Sequence, residues 1–292
     1  MALGTGQLSL GDIADEYGGS APHALSEYYS KGNAPGSGEI QIHADFNGTA
    51  NVFNYVISSN ASQLNLRSGA LAAGWDGSAP VNATINSGVV IYSGSTGSYA
   101  MVINGSWAGG VTLNNNGTIL GRGGNGGHGS TSGCHGCGCS GGVTRGQDGG
   151  SGGPALQISS AVTIANAGRI SGGGGGGGGG GSYSGFGIHG GGGGAGGGGG
   201  SGGGAHSGST AGGSSSYTSA GSGGAGQCHG GGCNGWCGGT GGSGGSYAAS
   251  GSAGAVGYDA QFRGSGGGAG AATSGQSNVT WSATGTRNGS LG

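Results

Sequence analysis

The chain has 292 residues, of which 90 are glycine and only 5% are charged, with a net charge of -2. Seven Lys and Arg cannot build a basic surface, so electrostatic nucleic-acid binding is excluded. Four Phe, four Trp and two Met are too few large side chains for the core of a conventional enzyme.

The composition divides the chain. The first 120 residues hold 19 glycines and the remaining 172 hold 71. From Ile170 to Tyr258 there is no Lys, Arg, Asp or Glu. Three parts are expected: a short N-terminal segment over 1–38, a β-rich domain over 39–120 and a glycine-rich part over 121–292. The fold class is therefore mainly β, with a short N-terminal helical segment and little regular structure at the C-terminal end. The start lacks a basic segment followed by a long apolar run, so no secretory signal is expected.

Ser9 followed by Asp12 predicts a helix start, because Ser9 can accept an orphan N–H while Asp12 sits in the first turn. A second short helix is expected over His23–Tyr29, with Pro22 in its first turn. Both are too short to be stable alone, which suits a docking segment. Glu39–Ala44 alternates polar and apolar residues and predicts a strand, as do parts of Val52–Ile57, Val89–Tyr92 and Tyr99–Ile103.

An internal repeat crosses the composition boundary. Val111–Ile119 matches Val162–Ile170, each with a strand pattern, an Asn-x-Gly turn and a second strand pattern. Thr84–Val90 is a weaker copy. Stacked copies would be rungs of a β-solenoid.

The glycine runs at 121–127, 149–153, 172–181, 190–204, 221–226, 238–245 and 264–270 have no strict Gly-X-Y period and few prolines, which excludes collagen. A flexible linker is the simple alternative. The spacing of these runs between richer loops instead suggests a bundle of polyglycine II helices, in which neighbouring chains supply the hydrogen bonds. Short connections make runs alternate in direction. Counting outward from 121–127 puts 128–148, 182–189 and 227–237 at the distal end and 205–220 at the proximal end.

Asn115–Ile119 and Ala167–Gly172, leading into glycine runs, resemble glycine-rich tail-fibre and adhesin proteins of tailed bacteriophages. Gly6–Ile13 and Pro22–Tyr29 are similar to the N-termini of phage tail proteins. The resemblance implies a receptor-binding adhesin on a virion tail, assembled in the host cytoplasm, with a rigid glycine sandwich at the fibre tip. Its partners would be a virion tail protein at the N-terminal segment and a bacterial surface receptor, either a sugar or an outer-membrane protein, at the loops. An ice-binding protein and a structural glycine-rich protein are the alternatives; the first needs a regular three-residue repeat. Short strands with thin cores suggest a homotrimer, whose subunits would bury strand edges.

The distal loops carry the candidate site. Tyr183, Phe186, His189, His135, His229 and Trp236 are the expected receptor contacts, since exposed aromatic residues anchor proteins and sugars. Two cysteine clusters, Cys134, Cys137 and Cys139 against Cys228, Cys233 and Cys237, suit disulfides, with bonds between the clusters favoured. With His135 and His229 beside them they also suit Zn²⁺. No cofactor is otherwise expected. No nucleophile–base motif or phosphate loop is present, and Lys31 is the sole lysine, so no enzymatic step is expected. Asp76, Asp45 and His43 read as surface polar residues.

Overall fold

The computed structural model describes residues 3, 8–19, 21–46, 51–132, 144–183, 187–228, 237–257 and 262–292. Helix α1 spans Leu10–Tyr17. The Ser9 hydroxyl accepts the Asp12 N–H at 3.2 Å, and the Asp12 carboxylate accepts the Ser9 N–H at 2.7 Å. Donation to the carboxylate from the Ser9 hydroxyl, also at 2.7 Å, and from the Ser9 N–H holds the Asp12 carboxyl below its usual range. A 3-10 turn follows over Leu25–Tyr28. Pro22 lies before this turn, after a cis peptide bond, and not in its first turn as expected.

The strand expected over Glu39–Ala44 is not formed; helix α2 spans Ile42–Phe46. Six alternating residues cannot fix the period, and tertiary packing decides. Phe46 is fully buried and meets the rings of Tyr17 and Tyr28 edge-on at 5.7 and 6.2 Å. The Asp45 carboxylate accepts the Gln41 N–H at 2.7 Å, closing the first turn. With Ile13 and Tyr28, Phe46 forms a small core of its own.

From residue 53 the chain winds into a three-sided parallel β-solenoid. One face stacks β1 (Phe53–Ile57), β4 (Val81–Ile85), β7 (Val111–Asn115), β10 (Val162–Asn166) and β13 (Val279–Ala283) in that order. The second stacks β2 (Ala61–Ser62), β5 (Val90–Tyr92), β8 (Thr118–Leu120), β11 (Arg169–Ser171) and β14 (Thr286–Asn288). The third stacks β3 (Leu64–Asn65), β6 (Met101–Ile103), β9 (Leu156–Ile158) and β12 (Thr273–Ser274). The weak repeat at Thr84–Val90 is a true rung, lengthened by two residues at its corner: Ile85 pairs with Asn115 and Val90 with Thr118.

Alternate residues point into the coil and stack on their equivalents. Ala83, Leu113 and Ile164 form one column, and Ile91, Ile119 and Ile170 another, all fully buried. Helix α3 (Leu66–Ala72) adds Leu66 and Ala70 to the same core. The core is thus enclosed by one chain, and β1, β2 and β3 at one end of the coil and β13 and β14 at the other are each paired on one side only.

The Asn-x-Gly repeat marks the corner between the first and second faces. Buried Asn115 donates to the Asn166 side chain at 2.7 Å and accepts the Gly117 N–H at 3.2 Å. Asn166 in turn donates to the Thr284 carbonyl at 2.8 Å. A Cβ at Gly168 would overlap the Gly117 carbonyl oxygen, so the rung above excludes any side chain there.

Both glycine-rich stretches leave from one corner. The chain departs after β8 and returns into β9, then departs after β11 and returns into β12. The composition boundary at Leu120 therefore falls inside a rung, and the same three sheets continue to Asn288.

In the glycine block, Gly173–Gly181 is surrounded by six other segments. Its nine N–H groups donate in strict rotation to 147–153, 191–197 and 249–255, and its nine carbonyls accept in rotation from 264–270, 124–130 and 239–245, at 2.7–3.1 Å. A Cβ on any of Gly172–Gly180 would overlap a carbonyl oxygen of one of the acceptor-side neighbours. Glycine is required there because the interior is backbone against backbone.

Peripheral segments need glycine only on their inner sides. Arg122, Asn125 and His128 are spaced by three on the outer side of one segment; Ser222, Ala225 and Cys228, and Thr240, Ser243 and Ser246, repeat the spacing on others. A local three-residue period therefore exists, although no strict period runs through the chain.

Candidate functional site

The register of the glycine segments defines two ends. Hydrogen bonds run parallel between 124–130 and 174–180, and antiparallel between 173–179 and 147–153 and between 174–180 and 191–197. The chain thus goes out along 121–132, back along 144–153, out again along 172–183 and back along 187–197, as the alternation predicted. At the proximal end the block rests on the solenoid. Tyr217 packs on Tyr92 of β5 at 5.1 Å, and the Arg169 guanidinium of β11 lies 4.6 Å from the centre of the Tyr247 ring.

One expectation fails. Run 190–204 is not a single returning segment. Gly198 and Gly199 adopt left-handed backbone, with φ of 112° and 85°, and reverse the chain at the proximal end. Residues 198–204 then run outward beside 123–129. His206 consequently lies distally, with its ring 5.7 Å from that of His189, and 210–216 returns along 192–198. The proximal loop is 217–219, not 205–220.

Six ordered pieces meet distally. The Thr144 N–H donates to the Thr131 carbonyl at 2.9 Å, joining the ends that flank 133–143. The Tyr183 N–H donates to the Ile188 carbonyl at 3.1 Å, joining those that flank 184–186. The Ser132 N–H donates to His189 Nδ1 at 3.3 Å, and the Gln227 N–H donates to the His189 carbonyl at 3.0 Å. Cys228 and Cys237 are joined by a disulfide, with Cα atoms 4.1 Å apart.

Tyr183 and His189 are therefore brought to one end, and both are half-buried. His189 is tied to Ser132, Gln227 and the His206 ring, so it holds the end together. Phe186, His135, His229 and Trp236 lie outside the described residues, as do Cys134, Cys137, Cys139 and Cys233. The disulfide within the second cluster corrects the expectation of bonds between clusters for Cys228 and Cys237. It also takes both thiols out of any shared metal site. Among the described residues no three His, Cys, Asp or Glu side chains gather as metal ligands. Cys228 continues the outward period begun by Ser222 and Ala225, so spacing alone places it on the surface of its segment.

The architecture is similar to a chain in the crystal structure of the gp37-gp38 adhesin tip complex of the bacteriophage S16 long tail fiber. The TM-score is 0.56 at 23% sequence identity, covering 98% of this chain and 94% of that one. No curated protein matches the chain in sequence. The sequence does match a family of phage adhesins over residues 52–292, from the first solenoid strand to the last residue. With the solenoid, the glycine block and this match together, the chain belongs to the phage tail fibre adhesin Gp38 family.

Proposed function

We propose that the chain attaches a virion tail to a bacterial surface receptor through the distal loops of a polyglycine II bundle, without a chemical step. The observation that carries this reading is convergence: Ser132, Tyr183, His189, His206 and the Cys228–Cys237 disulfide meet at the end of the block away from the solenoid. The three-residue rotation of hydrogen bonds around Gly173–Gly181 supports the polyglycine II assignment. Such a block is a rigid base for loops, and rigid scaffolds carrying variable loops suit recognition.

The helical segment over 8–46 has its own small core and precedes the family match, which supports a separate task, docking to a tail protein. Because the solenoid core is complete within one chain, a single copy is the unit we propose for the fibre tip. Light scattering on the purified protein is expected to give a single-chain mass; a threefold mass would restore the trimer.

The direct test is adsorption to host cells by Phe186→Ala with Trp236→Ala. Loss of adsorption by a folded double variant is the expected result. Unchanged adsorption would remove these loops from the receptor contact.

A further inference from the structure

An open pocket of about 360 Å³, within the size range of small-molecule sites, lies beside the distal end. Its described lining includes His128, Thr131, Thr144, Arg145, Gln147 and His206, and no aliphatic or acidic side chain. Three separate segments build it. His128 is the last of the outward series on 121–132, Arg145 and Gln147 come from the returning segment, and His206 from the reversal at 205–209. Gly204 makes room for the His128 ring, since a Cβ there would lie against its Nδ1 and Cε1 atoms. The Gln147 N–H donates to the His128 carbonyl at 2.8 Å, and the Thr144 hydroxyl accepts the Thr131 N–H at 2.9 Å. The backbone that carries these side chains is thus held by the block itself.

Arg145 supplies the charge. Its Nε donates to the Arg263 carbonyl at 3.1 Å, and one terminal nitrogen lies 3.4 Å from the Asp148 carboxylate. Asp148 is itself held by the Ser265 N–H at 2.6 Å. These contacts orient the guanidinium and use two of its five N–H donors among the described residues. Hydroxyls, an amide and two imidazoles, each with a flat body and polar edge, complete the lining.

We propose that this pocket binds an acidic sugar unit of the bacterial surface, with its carboxylate or phosphate at Arg145 and its hydroxyls at Thr131, Thr144, Gln147 and the two histidines. Guanidinium pairs well with planar or tetrahedral oxyanions, and the polar walls suit a ring of hydroxyls. This rests on the adhesin reading and extends it to the receptor's chemistry.

The test is an NMR titration of the full chain, following the ring signals of His128 and His206. The probes are glucuronic acid, glucose 6-phosphate, glucose and inorganic phosphate. Both acidic sugars are expected to shift the two rings, with glucose and phosphate about tenfold weaker or more, the loss of one charge-assisted contact or of the hydroxyl contacts. Arg145→Gln and His206→Ala should each weaken the acidic sugars by a similar factor. His206 is exposed, so that variant keeps the test valid if Arg145→Gln disturbs the fold. No shift with either acidic sugar, equal binding of inorganic phosphate, or variants that bind like the parent would overturn the proposal. Adsorption to cells is measured in parallel. If sugars fail while cells still adsorb and Phe186→Ala with Trp236→Ala abolishes that adsorption, the pocket falls and the adhesin reading stands.

Discussion

The solenoid and the glycine block bury their interiors in opposite ways. In the solenoid the backbone is paired within three sheets at the surface, and side chains such as Leu113, Ile119 and Ile164 fill the middle. In the block the middle is backbone, and side chains such as Asn125, Thr240 and Ser243 stand outside. The first is held mainly by removal of apolar surface from water, about 1.5–3 kcal/mol for each large aliphatic side chain. The second rests on amide hydrogen bonds of about 1 kcal/mol net each, against the high ordering entropy of glycine. A region of the second kind needs every bond made, so it tolerates less at its centre and more at its edge.

Three substitutions sharpen this contrast. The largest effect is expected at the centre of the block. Gly176→Leu would drive a side chain into the Asn125 carbonyl and break contacts with several segments, costing about 3 kcal/mol or more. Hydrogen exchange on the parent should show protected amides over Gly173–Gly181 and lose that protection in the variant. Free exchange in the parent would mean that the block is not ordered in solution.

Next comes Leu113→Ala, which opens a cavity in the solenoid and should cost about 2–5 kcal/mol in denaturant unfolding. A value near zero would mean that the coil is not closed around its core. The smallest effect is expected for Ser243→Ala on the outer side of the block, within about 0.5 kcal/mol. A large loss there would show that the outward positions of the three-residue period carry stability.

The repeated rungs were legible because a solenoid writes its register into side chains. Asn115 and Asn166 must each bridge to the next rung, and Gly117 and Gly168 must each leave room for a carbonyl of the rung before. The alternation of glycine runs was also legible, since loops of other residues punctuate it. The reversal at Gly198–Gly199 was not, because a turn built of glycine inside a glycine run changes no letter. The local period of Arg122, Asn125 and His128 was present in the sequence, and it would have indicated which segments are peripheral. Glu39–Ala44 misled for the reverse reason: six residues carry too little period, and the burial of Phe46 against Tyr17 and Tyr28 decides the helix over Ile42–Phe46. Of the candidate residues, Tyr183 and His189 lie together at one end of the block, where the alternation of runs puts their loop. His206 was missed through the hidden turn, and with it the pocket beside Arg145.

The corner from which both glycine stretches depart also sets an order of events during folding. β8 and β9 follow each other in one rung, yet residues 121–155 lie between them; β11 and β12 are separated by 172–272. Winding of the coil can therefore proceed from β1 to β8 by local steps and must then wait. The partners of Gly173–Gly181 range from residue 124 to residue 270: Gly174, Gly177 and Gly180 have both by residue 197, Gly175, Gly178 and Gly181 wait for 239–255, and Gly173, Gly176 and Gly179 wait for 264–270. Such distant pairings close slowly, because loop entropy is spent before the contacts repay it. Translation would deliver a nascent chain whose coil stops at β8 and whose central glycine tract gains its partners in three stages, the last of them just before β12.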